Sequence, residues 1–301
     1  HLDGFGVHAF KLYNAKGEYK YVKFNFRTQQ GVKGMNLEQT RDMQGKDFNH
    51  LTNDLYNNIY AGNYPKWDLY IQVLDPKDLN NFDFNPLDAT KIWPNELIPE
   101  TKVGTLTLNR MPKNFFNETE QSAFAPGNLI PGIEPSEDRL LQGRIFSYSD
   151  TQLYRLGVNH QQIPVNRPRV QVNNNNQEGF MNISERDSEV NYEPSLKQPK
   201  PAAAVARAVA TPLAGTVLQQ AIQKQQPFKQ AGDLYRSYSA VEKKDLIRNL
   251  AVDLGAVKDA ETKHIMLSYF YKADADYGTR LTAAVKGNLA TVKAKAAKLQ
   301  D

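Results

Sequence analysis

The sequence predicts an α+β protein, with antiparallel strands first, an irregular middle and helices at the end. Three observations carry this. Period-two alternation runs through "VHAFKLY" and "EYKYVKFNF" near the start, the pattern of strands with two distinct faces. The middle of the chain is rich in Pro and Asn and contains biased tracts such as "VNNNNQ" and "QPKPAAAVARAVA". From residue 231 onward the spacing turns helical, with recognisable caps.

The first unit is expected over residues 1–110. Residues 7–27 read as a hairpin, with Val22, Phe24 and Phe26 on one face and Tyr21, Lys23 and Asn25 on the other. "NAKG", Asn14 to Gly17, supplies the turn chemistry. Two further strands are expected at 68–74 and 103–109. Between the hairpin and these strands Phe48, Leu51, Leu55 and Ile59 recur at helical spacing, and Gly62 stops the helix. Four such strands rarely close a barrel by themselves, so the sheet reads as half of a larger one. The second unit, 111–230, is expected to be an arm that wraps over the surface, with a short Ala-rich helix and one clear long helix across 136–156. That helix opens at Pro-Ser-Glu-Asp and ends at Gly157. The third unit, 231–301, is expected to be a small antiparallel helical bundle. Ser239 and Glu242 fit a capping box at its first long helix.

Composition excludes several function classes. The net charge of +4 is spread along the chain, which gives no reason to expect nucleic acid. No apolar run is long enough to span a bilayer. With no cysteine, thiolate metal sites and disulfides are excluded. His1, His8, His50, His160 and His264 show no metal-binding spacing, and no P-loop, GxSxG or GxGxxG occurs.

One stretch remains, "RIFSYSD", Arg144 to Asp150. Arg144 and Tyr148 are four apart and share a helix face. Gly143 sits mid-helix, where it costs about 1 kcal/mol against Ala; close approach by a flat partner is one reason to accept that. Two readings stay open on pattern alone. The first is a buried tyrosine bonded to an arginine for packing. The second is chemical: a guanidinium against a phenolic oxygen favours the phenolate, and a phenolate can ligate iron and stabilise its higher oxidation states.

The residues around this stretch resemble the haem catalase family. "GNLIPGIEPSEDRLLQGRIFSYSDTQLYRLGVNHQQIPVNRP" (127–168) is similar to the proximal-haem region of those enzymes. "HLDGFGVHAFKL", "GNYPKWDLYIQV", "FNPLDATKIWP" and "LNRMPKNFFNETEQSAFAPGN" match the same family in the same order. The C-terminal helices match more loosely. In catalases a tyrosine holds the haem iron.

The resemblance implies a specific fold and site. The strands become the second half of an antiparallel β-barrel, followed by the wrapping segment with the haem-ligand helix and the helical domain. The metal ligand falls on Tyr148, and its arginine partner on Arg144. A histidine and an aspartate that extend this contact fall on His8 and Asp138; alone, His8 reads as a satisfied histidine on a strand. Phe124 and Gly143 match haem-packing positions, and Arg155 matches an arginine that pairs with a haem propionate. The implied cofactor is haem b, and the implied reaction is disproportionation of hydrogen peroxide to water and dioxygen. A homotetramer with exchanged arms is implied, with no nucleic-acid or membrane partner, in the cytoplasm ahead of the periplasm.

Departures from the family pattern stand beside these matches. Gln152 and Leu153 replace a frequent His and Arg. The positions that in many members contact NADPH carry Asn25, Arg27, Ile92, Trp93 and Asn95, and Asp3 replaces a common Asn nearby. Asn25 and Asn95 stand where those members have histidines, so support for NADPH is weak. No His or Asn in the chain matches the distal pair of the family. The chain therefore reads as the C-terminal three-fifths of a subunit, completed by an N-terminal half. Alone it is expected to be inactive and to aggregate through unpaired strand edges. Related haem peroxidases and hydroperoxide-converting enzymes share tyrosinate haem and remain an alternative, as does an inactive haem-binding fragment.

Overall fold

A computed structural model describes residues 1–170, 190, 196–197, 214–216, 218–219 and 221–300. The "VNNNNQ" and Ala-rich tracts lie outside the described residues. The strands form a six-stranded antiparallel sheet that takes its last strand from the middle unit. They are β1 (Gly4–Phe5), β2 (Phe10–Tyr13), β3 (Tyr19–Thr28), β4 (Lys66–Leu74), β5 (Glu100–Thr107) and β6 (Ile133–Pro135). The order is β5-β4-β3-β2-β6, with β1 also on β3. The expected hairpin forms, with Phe10 opposite Val22 and Tyr13 opposite Tyr19. Gly17 takes the left-handed conformation in the turn, at φ +82°, which a residue without Cβ adopts freely.

Alternation along β3 separates its two faces as expected. The polar face is covered throughout: Tyr21, Lys23 and Asn25 are 3%, 4% and 6% exposed, while on the other face Val22 is buried and Phe24 and Phe26 are half-buried. The segment 75–99 closes over the polar face. Trp93, Phe84, Ile98 and Leu74 pack with Tyr21 into one apolar cluster. Lys23 Nζ donates to the Lys91 carbonyl at 2.8 Å and lies 5.2 Å from the Trp93 ring centroid. Burial, the largest influence, holds its ammonium down to about 8.

Two helices interrupt the sheet, α1 (Leu37–Lys46) and α2 (His50–Tyr60). The Asn36/Gln39 capping box starts α1. The expected stripe on α2 is only partly used. Ile59 is buried, whereas Phe48, just before the helix, and Leu51 stay exposed.

The long helix of the middle unit is α3, Arg139–Arg155. It is shorter than the expected 136–156, because Ser136, Glu137 and Asp138 bond outward to the sheet and only Asp138 caps the helix. Gly157 ends it, at φ +121°.

The C-terminal unit holds α4 (Lys229–Ser237), α5 (Ala240–Ala256), α6 (Ala260–Ala273), α7 (Ala275–Ala284) and α8 (Leu289–Ala296). The predicted capping box opens α5. Tyr235, Ile247, Leu254, Leu267, Tyr277, Leu281 and Val292 form its core. Gly278 lets α7 approach α6 closely: a Cβ there would meet the Tyr271 backbone at 2.2 Å. Among the described residues, no helix is long and apolar enough to cross a membrane.

Candidate active site

The site is built from two distant stretches, the β1–β2 connection and the start of α3. Pairing of β6 with β2 places Pro135 opposite Phe10, which brings the residues just after β6 to those just before β2. Asp138 then serves two purposes. One carboxylate oxygen accepts the N–H groups of Leu140 and Leu141, at 2.9 and 3.1 Å, capping α3. The other accepts from His8 Nδ1 at 2.7 Å. His8 and Asp138 are 5% and 2% exposed, so this contact is shielded from water.

A proton on Nδ1 leaves His8 Nε2 as an acceptor. Arg144 Nη1 donates to it at 2.8 Å. The other arm of the same guanidinium, Nη2, donates to the Tyr148 hydroxyl at 2.9 Å, and its carbon lies 5.0 Å from the tyrosine ring centroid. Asp138, His8, Arg144 and Tyr148 thus form one continuous relay. It runs from a buried carboxylate to a half-buried phenol. A neutral His8 bonded to a carboxylate orients the guanidinium, and the guanidinium places positive charge on the phenolic oxygen.

The remaining expected residues lie on or beside α3. Gly143 is exposed, and a Cβ built there meets nothing within 4 Å. Phe124 is 82% exposed; its carbonyl accepts from Gln152 at 3.1 Å. Phe146 is exposed as well. Arg155 is already held by three donor contacts: Nε to Gln152, Nη1 to the Glu120 carbonyl and Nη2 to the Ser122 carbonyl. Two of its five N–H groups remain for an anion.

Gln152, a departure in sequence, is a buried polar strut that ties Phe124 and Arg155 to the helix. Asn166 adds a second strut that sequence reading missed. Its side chain accepts from the Ala123 N–H and donates to the Gln121 and His160 carbonyls. Neither residue has a periodic or motif signal of its own.

The relay suits a haem whose iron is bound through a phenolate. Charge from Arg144 meets the Tyr148 oxygen, and exposed phenylalanines with an open Gly143 flank offer an apolar face. Among the described residues no group of three His, Cys, Asp or Glu side chains could hold a metal. The dinucleotide positions fit poorly. Asn25 is buried and donates to Gln72 and Glu100. Arg27 is paired with Glu100 at 2.6 Å and Asp3 at 3.1 Å, with Glu100 the leading influence that holds its guanidinium above the ordinary value. Trp93 is in the core. The backbone N–H and C=O of Ile92 both bond the Gln230 carboxamide.

Comparison with known proteins identifies the family. The catalase family model matches residues 1–199, and a catalase-related immune-responsive model matches 221–285. The chain is 58% identical to a catalase of Vibrio parahaemolyticus, covering 98% of this chain and 58% of the relative. It is 56% identical to a Pseudomonas aeruginosa catalase, covering 100% of this chain and again 58% of the relative. A solved bacterial catalase superposes with a TM-score of 0.84 at 34% identity, over 95% of this chain and 60% of that one. The chain belongs to the catalase family. It spans about three-fifths of the length of the curated relatives it matches.

Proposed function

We propose that the chain supplies the proximal side of a hydrogen peroxide-disproportionating haem catalase, with Tyr148 as the iron ligand. The observation that carries this is the unbroken relay Asp138–His8–Arg144–Tyr148, built across a sequence gap of 130 residues. When bound, haem supplies the redox chemistry that turns two hydrogen peroxides into two waters and one dioxygen. Tyr148 would hold the iron through its phenolate oxygen. Arg144 keeps a positive charge beside that oxygen, and His8 holds the guanidinium in position by accepting from it. Asp138 fixes the His8 tautomer and, through its second oxygen, the helix that carries both Arg144 and Tyr148. Phe124 and the open flank at Gly143 would cover the ring. Arg155, immobilised by its three existing contacts, would offer its remaining N–H groups to a propionate.

The distal acid–base groups, and with them the homotetramer with exchanged arms and the cytoplasmic setting, belong to this same reading and come from the family. Asn25 and Arg27, at two of the expected NADPH positions, are already partnered within the fold, which speaks against NADPH. The test is Tyr148→Phe in the intact protein. We expect loss of the tyrosinate signature in resonance Raman and severe loss of haem and of oxygen evolution from hydrogen peroxide. An unchanged haem spectrum with normal turnover would overturn the assignment. Oxygen evolution set against organic-hydroperoxide turnover separates catalase from its peroxidase-like relatives.

A further inference from the structure

Three consecutive residues before α3 are each tied to the sheet. Ser136 Oγ donates to the Ala9 carbonyl at 2.5 Å. Glu137 takes the Lys11 ammonium on one carboxylate oxygen and the Tyr21 hydroxyl on the other, at 2.8 Å. Asp138 takes His8. Ala9 and His8 immediately precede β2, Lys11 lies on β2 and Tyr21 on the adjacent β3. Ser136, Asp138, His8 and Lys11 are all at most 5% exposed.

The Asp138–His8 contact spans two separate segments and has little slack. A carboxylate that caps a helix with one oxygen and bonds an imidazole with the other can do so only if the helix start is in register with the strand. Ser136 holds one point of that register through a backbone carbonyl. Glu137 holds two more, one on each of two neighbouring strands, and this grips the segment against rotation as well as translation. Lys11 also stacks over the Tyr19 and Tyr21 rings, at 4.9 and 5.8 Å from their centroids, so the ammonium that Glu137 meets is itself fixed. Burial, with the Glu137 hydrogen bond as the next influence, holds Tyr21 far above the ordinary phenol range. It therefore stays a donor to Glu137 at working pH.

We propose that Glu137 is a positioning residue for the relay: by clamping Lys11 and Tyr21 it sets where Asp138 meets His8, and hence where the Arg144 fork meets Tyr148. This rests on the reading of Tyr148 given above. The path from Glu137 to the phenol runs through Asp138, its neighbour in the chain, and His8.

The test compares Glu137→Gln, Glu137→Ala and Lys11→Arg with the unchanged protein, all intact and haem-loaded. One readout is deuterium exchange at the His8 ring Cε1–H, followed by mass spectrometry, with His264 as internal reference. It reports the protonation and enclosure of His8 and needs no iron ligation. The second readout is the tyrosinate resonance Raman band. Glu137→Gln and Glu137→Ala are expected to accelerate exchange at His8 but not at His264, and to shift the tyrosinate band. Lys11→Arg keeps the ion pair and is expected to leave both close to the unchanged protein. Lowered thermal stability with both readouts unmoved would make Glu137 a structural residue only and overturn the proposal. If Glu137→Ala does not fold, the near-isosteric Glu137→Gln carries the same decision. Faster His8 exchange alongside a haem spectrum that survives Tyr148→Phe would sink the ligand assignment and leave the positioning role standing.

Discussion

Replacing Arg144 by lysine keeps the charge and removes the fork. In the structure two different nitrogens of one guanidinium reach His8 and Tyr148, at 2.8 and 2.9 Å. A lysine ammonium is a single nitrogen on a flexible stem and cannot reproduce that planar span. It keeps one contact and gives up the other. A hydrogen bond to a charged group contributes about 1.5–3 kcal/mol net. At about 1.4 kcal/mol per decade, losing one weakens the site by roughly 10- to 150-fold. Arg144 and Tyr148 are half-buried, so water offsets part of the loss, and we expect about tenfold, the lower end of that range. The assay is transfer of haem from the intact Arg144→Lys protein to excess apomyoglobin, with the tyrosinate Raman band recorded in parallel. A transfer rate and band equal to those of the unchanged protein would refute the reasoning. They would mean that charge near the phenol is enough and that the bidentate geometry is incidental.

Other outcomes follow from the same structure. Gly143→Ala adds a methyl that meets no protein atom and is expected to stabilise the haem-free helix by up to about 1 kcal/mol while lowering haem occupancy; unchanged occupancy would show that no flat group lies there. Lys23 is held down to about 8 against an ordinary 10.5. The unfolded chain therefore binds more protons between those values, and stability rises with pH through that window. Denaturation midpoints should show a gain on the order of 1 kcal/mol from pH 7 to 9, absent in Lys23→Met; equal slopes in both would count against it. Well above pH 10 the trend reverses, because burial pushes Tyr277 up to about 12. NADPH titrated calorimetrically onto the intact protein is expected to show no saturable heat, since Arg27 already carries two carboxylates; tight binding would show that those pairs open for the ligand.

Much of this was legible in the sequence, for a physical reason. The helical period alone makes Arg144 and Tyr148 neighbours, and the structure joins them directly. Period-two alternation located β2 and β3, and a Ser-x-x-Glu spacing located the start of α5. These are local rules, written within a few residues of one another.

What only the tertiary structure decided is everything that crosses long distances along the chain. Alternation divides β3 into two faces but cannot say which is covered; segment 75–99 covers the face bearing Lys23 and Asn25. Residues 136–138 read as helix because their composition suits a helix start, yet the sheet supplies partners that draw them out of it. His8 and Asp138 meet because β6 pairs with β2, and nothing near either residue encodes that encounter. The helical period by itself made Arg144 and Tyr148 neighbours, and the family resemblance pointed to Tyr148 as ligand with His8 and Asp138 behind it. The fold decided the burial and bonding of that carboxylate and imidazole, because such contacts arise from packing between segments and not from the period of any one segment.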